Sequence, residues 1–133
     1  MKRIAYIFGA LMLVAGIAGF IPALCPNGLL FGLFAVDAMH NVVHLVTGLV
    51  AVLAGAASEG AARNYFRIFG VVYAVVAVLG LVTRDGQVLG MANNMADVGL
   101  HIAIAAFALY MGFAYGHTPS PPRGSRGPDL RGT

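Results

Sequence analysis

Four apolar stretches leave almost no chain for anything else. Residues 4–21, 38–57, 64–83 and 95–115 each approach the ~20 residues that a helix needs to cross the hydrocarbon core of a bilayer. With 59% of its 133 residues hydrophobic and 10% charged, the chain has too little polar surface to coat a water-soluble globule, and lipid is expected to cover much of it. The fold class this predicts is all-α, a polytopic membrane protein whose four transmembrane helices form one bundle over residues 1–116. No length remains for a soluble catalytic domain.

The opening segment, MKRIAYIFGALMLVAGIAGF, has a basic start and an apolar run, as a secretory signal peptide does. Leu24 stands before Cys25 where a lipoprotein site needs a small residue. A run long enough to span, together with an internal repeat, favours an anchor. In that repeat, Ile7-Phe8-Gly9 aligns with Ile68-Phe69-Gly70 and Gly19 with Gly80 at an offset of 61. An offset of 57 aligns Asp37 with Asn94, His40 with Asp97 and His44 with His101. Helices three and four therefore read as a copy of helices one and two, two parallel two-helix repeats related by an axis along the membrane normal.

Basic residues set the orientation. Lys2, Arg3, Arg63, Arg67, Arg123, Arg126 and Arg131 fall on one side of a four-helix arrangement and Arg84, beside Asp85, on the other. The positive-inside rule places both termini in the cytoplasm. The tail, residues 117–133, is rich in Pro, Gly, Ser and Arg and without hydrophobic periodicity, so it is expected to be a disordered basic cytoplasmic tail. Its basic residues are too few, and lack interleaved aromatics, for a nucleic-acid partner. The connectors LLFGLFAV and QVLGMANN are too short to span and are expected to lie in the interface or dip into the membrane. The single cysteine, Cys25, excludes an internal disulfide and a CxxC redox motif.

The polar residues of the apolar segments are the candidate site. His40, His44 and Thr47 recur at spacings of three or four and share one helix face. Asp97 and His101 make the corresponding face of helix four. Intramembrane polar groups avoid lipid, so the two faces should oppose each other and gather His40, His44, Asp97 and His101 near the outer leaflet, with Asn41 beside them.

Three chemistries suit such a cluster. Asp37 and Asn94 stand where N-caps belong, Asp97 lies three residues on as in a capping box, and the histidines would then hydrogen-bond across the bundle. Alternatively, two histidines one turn apart and a facing Asp and His supply four ligands for a transition metal, or His44 and His101 the axial ligands of a haem. In the third, the histidines titrate near neutral pH in a proton relay or against a quinone. No HExxH glutamate accompanies the pair. Tyr73, in the middle of helix three, needs a hydrogen-bond partner for its hydroxyl.

FAVDAMHNVVHLVTG, RIFGVVYAVVAVLGLV and NNMADVGLHIAIA together resemble the bacterial integral-membrane family designated domain of unknown function 4383. The similarity covers most of residues 1–116, and its most specific piece is His40, Asn41 and His44, echoed by Asp97 and His101. The resemblance implies a four-helix protein of the bacterial inner membrane, and it assigns no activity and no catalytic residues. The expected function is a non-enzymatic membrane module acting through packing with itself or another membrane protein. The alternative is a metal- or haem-binding subunit in redox chemistry or transport, with the His and Asp cluster as its site.

Overall fold

The computed structural model describes residues 1–83 and 86–116. The expectations for Arg84, Asp85 and the tail, residues 117–133, lie outside the described residues.

Among the described residues the chain is all-α apart from two short hairpins. Helix α1 spans Lys2–Ala18, α2 Ala38–Ala57, α3 Glu59–Val82 and α4 Met95–Leu109, which continues into a π-helical turn at Tyr110–Ala114. Between α1 and α2 lie β1 (Leu29–Leu30) and β2 (Phe34–Ala35), and between α3 and α4 lie β3 (Gln87–Val88) and β4 (Met91–Ala92). Each pair is antiparallel, with Leu29 opposite Ala35 and Gln87 opposite Ala92.

Among the described residues three helices are long and apolar enough to cross a membrane: Ala38–Ala57, Glu59–Val82 and Met95–Ala114. Helix α1 has 17 residues, a length of about 25 Å against a hydrocarbon core of about 30 Å. It stops three residues before the expected Ile21, because Pro22 and Pro26 open short 3₁₀ turns in place of further α-helix.

Helix α3 begins five residues before the expected Asn64, and no loop separates it from α2. Ser58 performs both terminations. Its N–H donates to the Ala54 carbonyl at the end of α2, and its hydroxyl accepts from the Ala61 N–H at 2.9 Å to start α3. A serine N-cap satisfies a donor that the first helical turn leaves free, which lets the chain reverse at one residue.

The connectors expected to lie in the interface or dip into the membrane form two hairpins, and their turn residues explain why. Leu89 and Gly90 both hold positive φ, 53° and 78°. That pairing is the two-residue turn whose twist matches antiparallel strands.

Helix α1 packs along α2 and α3 along α4 through glycines. A Cβ on Gly9 would lie 2.8 Å from the Val52 side chain, one on Gly70 within 2.9 Å of Leu109, and one on Gly80 2.6 Å from Val98. One on Gly19 would overlap the Asn41 amide. Helices can approach this closely only where a side chain is missing, which is how packing proceeds when lipid is as apolar as the interface. Phe8, Tyr65, Phe66 and Phe107 form an aromatic cluster where the pairs meet, with Phe8 and Phe66 rings 5.6 Å apart and Phe66 and Phe107 5.9 Å apart. Ile7, Leu11, Val14, Val46, Leu53, Val75 and Val78 are exposed. Their outward faces form the apolar surface that a bilayer would cover.

Candidate metal centre

The site lies at the hairpin end of the bundle. Helix α2 starts at Asp37, whose Oδ1 accepts from the His40 N–H at 2.8 Å. Helix α4 starts at Asn94, whose side-chain oxygen accepts from the Asp97 N–H at 3.0 Å while Asp97 Oδ2 accepts from the Asn94 N–H at 2.8 Å. The two starts are also tied crosswise. Asp37 Oδ2 accepts from the Ala92 N–H of β4 at 2.6 Å, and Asp97 Oδ2 from the Ala35 N–H of β2 at 3.0 Å. The Asn94 amide donates to the Leu33 carbonyl at 2.8 Å. Each hairpin is thus held by the helix start of the other half.

Asp37 lies outside the membrane-spanning segments. Its partial burial pushes the carboxyl up, but the N–H groups of His40 and Ala92 outweigh that and hold it below the usual carboxylate range.

His40, His44 and His101 are all buried, each bringing one ring nitrogen within 4.8 Å of the others. The His40 and His44 rings lie edge to face with centroids 4.7 Å apart, and His40 and His101 lie 6.0 Å apart. His40 Nδ1 is 2.9 Å from the Ala92 carbonyl oxygen. A carbonyl only accepts, so Nδ1 carries a proton, and in the neutral imidazole the lone pair is then on Nε2. His44 Nε2 and His101 Nδ1 have no hydrogen-bond partner among the described residues. Buried polar atoms are rarely left that way, because desolvation without a partner is costly.

The three rings border a cavity of about 100 Å³, whose other walls include Thr47, Phe69, Tyr73, Met91 and Asn93. Such a volume holds a few water-sized groups. It falls well below the roughly 300–1,000 Å³ typical of sites for drug-sized ligands. In a zinc site with metal–nitrogen bonds of about 2.0–2.1 Å, two tetrahedral ligand nitrogens sit roughly 3.4 Å apart. To bind one ion the ring nitrogens would have to draw in to about that spacing from separations of up to 4.8 Å.

Not every residue expected in the cluster joins it. Asp97 is buried with one oxygen taken by two backbone N–H groups, and it stands outside the histidine triad. Asn41 turns toward α1, where it meets Gly19. Tyr73 extends its hydroxyl to Met12 Sδ at 3.7 Å. Met91 and Asn93 were missed by sequence reasoning, and the buried Asn93 Oδ1 also has no partner among the described residues.

A family model described as a domain of unknown function (DUF4383) matches residues 2–114. No curated protein and no solved structure matches the chain.

Proposed function

The chain belongs to the DUF4383 family, whose description carries no activity, and from that premise we propose that it is a membrane-embedded transition-metal-binding protein with His40, His44 and His101 as ligands. One observation carries the proposal: three buried histidines converge, two of them with a ring nitrogen that has no partner among the described residues. Histidines acting as packing glue would spend those nitrogens on hydrogen bonds. His40 Nδ1 is bonded in the way that orients a metal-ligating imidazole, its N–H to a backbone carbonyl, which leaves Nε2 of the neutral ring as the ligand atom. The size of the cavity favours an ion with small ligands over a porphyrin or a quinone ring.

The same proposal gives the site its place in the membrane. Two copies of a two-helix unit, α1–α2 and α3–α4, surround it, and α1 acts as a fourth, short span. Equivalent contacts support the duplication: Gly9 with Val52 and Gly70 with Leu109, and Gly19 with Asn41 and Gly80 with Val98. Their positions differ by the offsets of 61 and 57 seen in the sequence. Met12 and Tyr73, equivalent by the first offset, touch each other. His44 and His101, equivalent by the second, both enter the triad. The ion therefore sits close to the repeat axis.

Arg63 donates to the Tyr115 carbonyl and Arg67 to the Gly112 carbonyl, which gathers these basic residues at the end of the bundle away from the hairpins. By the positive-inside rule that end is cytoplasmic and the metal site lies toward the outer face.

The test is elemental analysis and an absorption spectrum of detergent-purified protein after exposure to first-row transition metals and removal of the excess. Stoichiometric metal in the wild type, lost in both His44→Ala and His101→Ala, is expected. A wild type that retains no metal, or variants that retain it, would return the histidines to a packing role.

A further inference from the structure

We propose, resting on the metal-binding reading above, that the resident ion is monovalent copper, held by His40, His44 and His101 with the Met91 thioether as an additional donor from the hairpin. The first support is the chemistry of the cavity wall. Three histidines and one methionine, Met91, are among the residues that border it. The carboxylates of Asp37 and Asp97 are turned to backbone N–H groups instead. The one thiol, Cys25, is directed at the Ala18 and Gly19 carbonyls, away from the triad. Thioether ligands are soft and select cuprous copper, while imidazole accepts zinc, copper, iron and nickel alike. A site that combines them without an anionic ligand fits copper in its lower charge state.

Charge supplies the second support. Because every donor at the ion is neutral, the ion's whole charge must be carried in an apolar surround, where the cost of a charge climbs steeply with its magnitude. The nearest compensation comes from outside the ligand set. Asp37 and Asp97 stand at the starts of α2 and α4 with their oxygens engaged by backbone N–H groups, so the smaller ionic charge is the less costly one to bury beside them.

Met91 also has a mechanical link to the triad. It precedes Ala92 in β4, whose carbonyl accepts the hydrogen bond from His40 Nδ1 and whose N–H donates to Asp37. Metal bound through both His40 and Met91 would lock β4 onto α2.

The experiment uses the full chain in detergent. Copper is supplied anaerobically with ascorbate and titrated against a colorimetric cuprous chelator, zinc is titrated separately, and X-ray absorption is recorded at the copper edge. Wild type, Met91→Leu and His44→Ala are compared, with unfolding of the metal-free proteins as the control for folding. The expected result is one cuprous ion per chain with sulfur among its neighbours. Met91→Leu should lose the sulfur signal and weaken copper by roughly 10- to 100-fold, the scale found when a supporting group is removed from a metal site, while zinc affinity is unchanged. Tighter binding of zinc than of cuprous copper overturns the copper assignment and leaves a metal site standing. Copper bound without sulfur, indifferent to Met91→Leu, overturns the role of Met91. No binding of either metal removes this assignment, and the parent proposal falls with it when iron, cobalt and nickel are also not retained.

Discussion

Replacing His44 by leucine separates a metal ligand from packing glue, because the two roles predict opposite signs in metal-free protein. His44 is buried with Nε2 unpartnered among the described residues. An unsatisfied buried polar atom costs about 1–3 kcal/mol of desolvation, so an apolar side chain of similar volume should recover part of that. Leucine adds little strain in the cavity of about 100 Å³ beside it. With a strong chelator present, His44→Leu is therefore expected to be as stable as the wild type or more stable, by up to about 1–2 kcal/mol.

With metal present the order reverses. Free metal at a hundred times its dissociation constant stabilises a binding-competent fold by about 2.7 kcal/mol, and a variant without the site gains none of it. The assay is reversible unfolding in mixed micelles, run with chelator and with metal for both proteins. A chelated His44→Leu that is less stable than the chelated wild type by more than about 1 kcal/mol would refute the reasoning, since His44 would then be making a stabilising contact without any ion.

Three further outcomes follow from the packing and the caps. Gly19→Ala forces a methyl into the Asn41 amide and should destabilise by about 1–3 kcal/mol, whereas Gly99→Ala, with nothing close to its added Cβ, should be neutral or slightly stabilising through helix propensity; thermal unfolding of the pair checks this. Ser58→Ala removes the hydroxyl that starts α3 and should cost about 0.5–2 kcal/mol, with Ser58→Gly much milder, as read by denaturation in detergent. Because the folded-state pKa of Asp37 is depressed below its ordinary 3.8, its contribution is fully present above that value and is lost as pH falls through the folded-state pKa. Asp37→Asn should flatten that acid limb, and an acid limb identical to the wild type's would show that the carboxylate does not hold β4.

Apolar runs and their length determined the class of object: a helical chain with too little polar surface for water, three of whose helices can cross a membrane. Those properties are local and additive, so they can be read without a partner in view. The DUF4383 membership was equally legible, because it rests on residue order. Helix ends were less so. A single Ser58 could replace the expected loop because one hydroxyl and one N–H serve both helices, and periodicity does not register a cap inside an otherwise apolar run. The hairpins escaped notice for a related reason, since Leu89 holds positive φ where its residue type gives no hint.

The candidate site divides along the same line. Helical spacing placed His40 and His44 on one face, since a turn's geometry depends only on the chain beside it. Only tertiary structure decided which polar residues meet. Asp97 was drawn off by the Ala35 and Asn94 N–H groups, Asn41 by its contact with Gly19, and Met91 and Asn93 were brought in by a hairpin from the other half of the chain. Convergence of that kind comes from the packing of one helix pair against another, and spacing within a single helix carries no record of it.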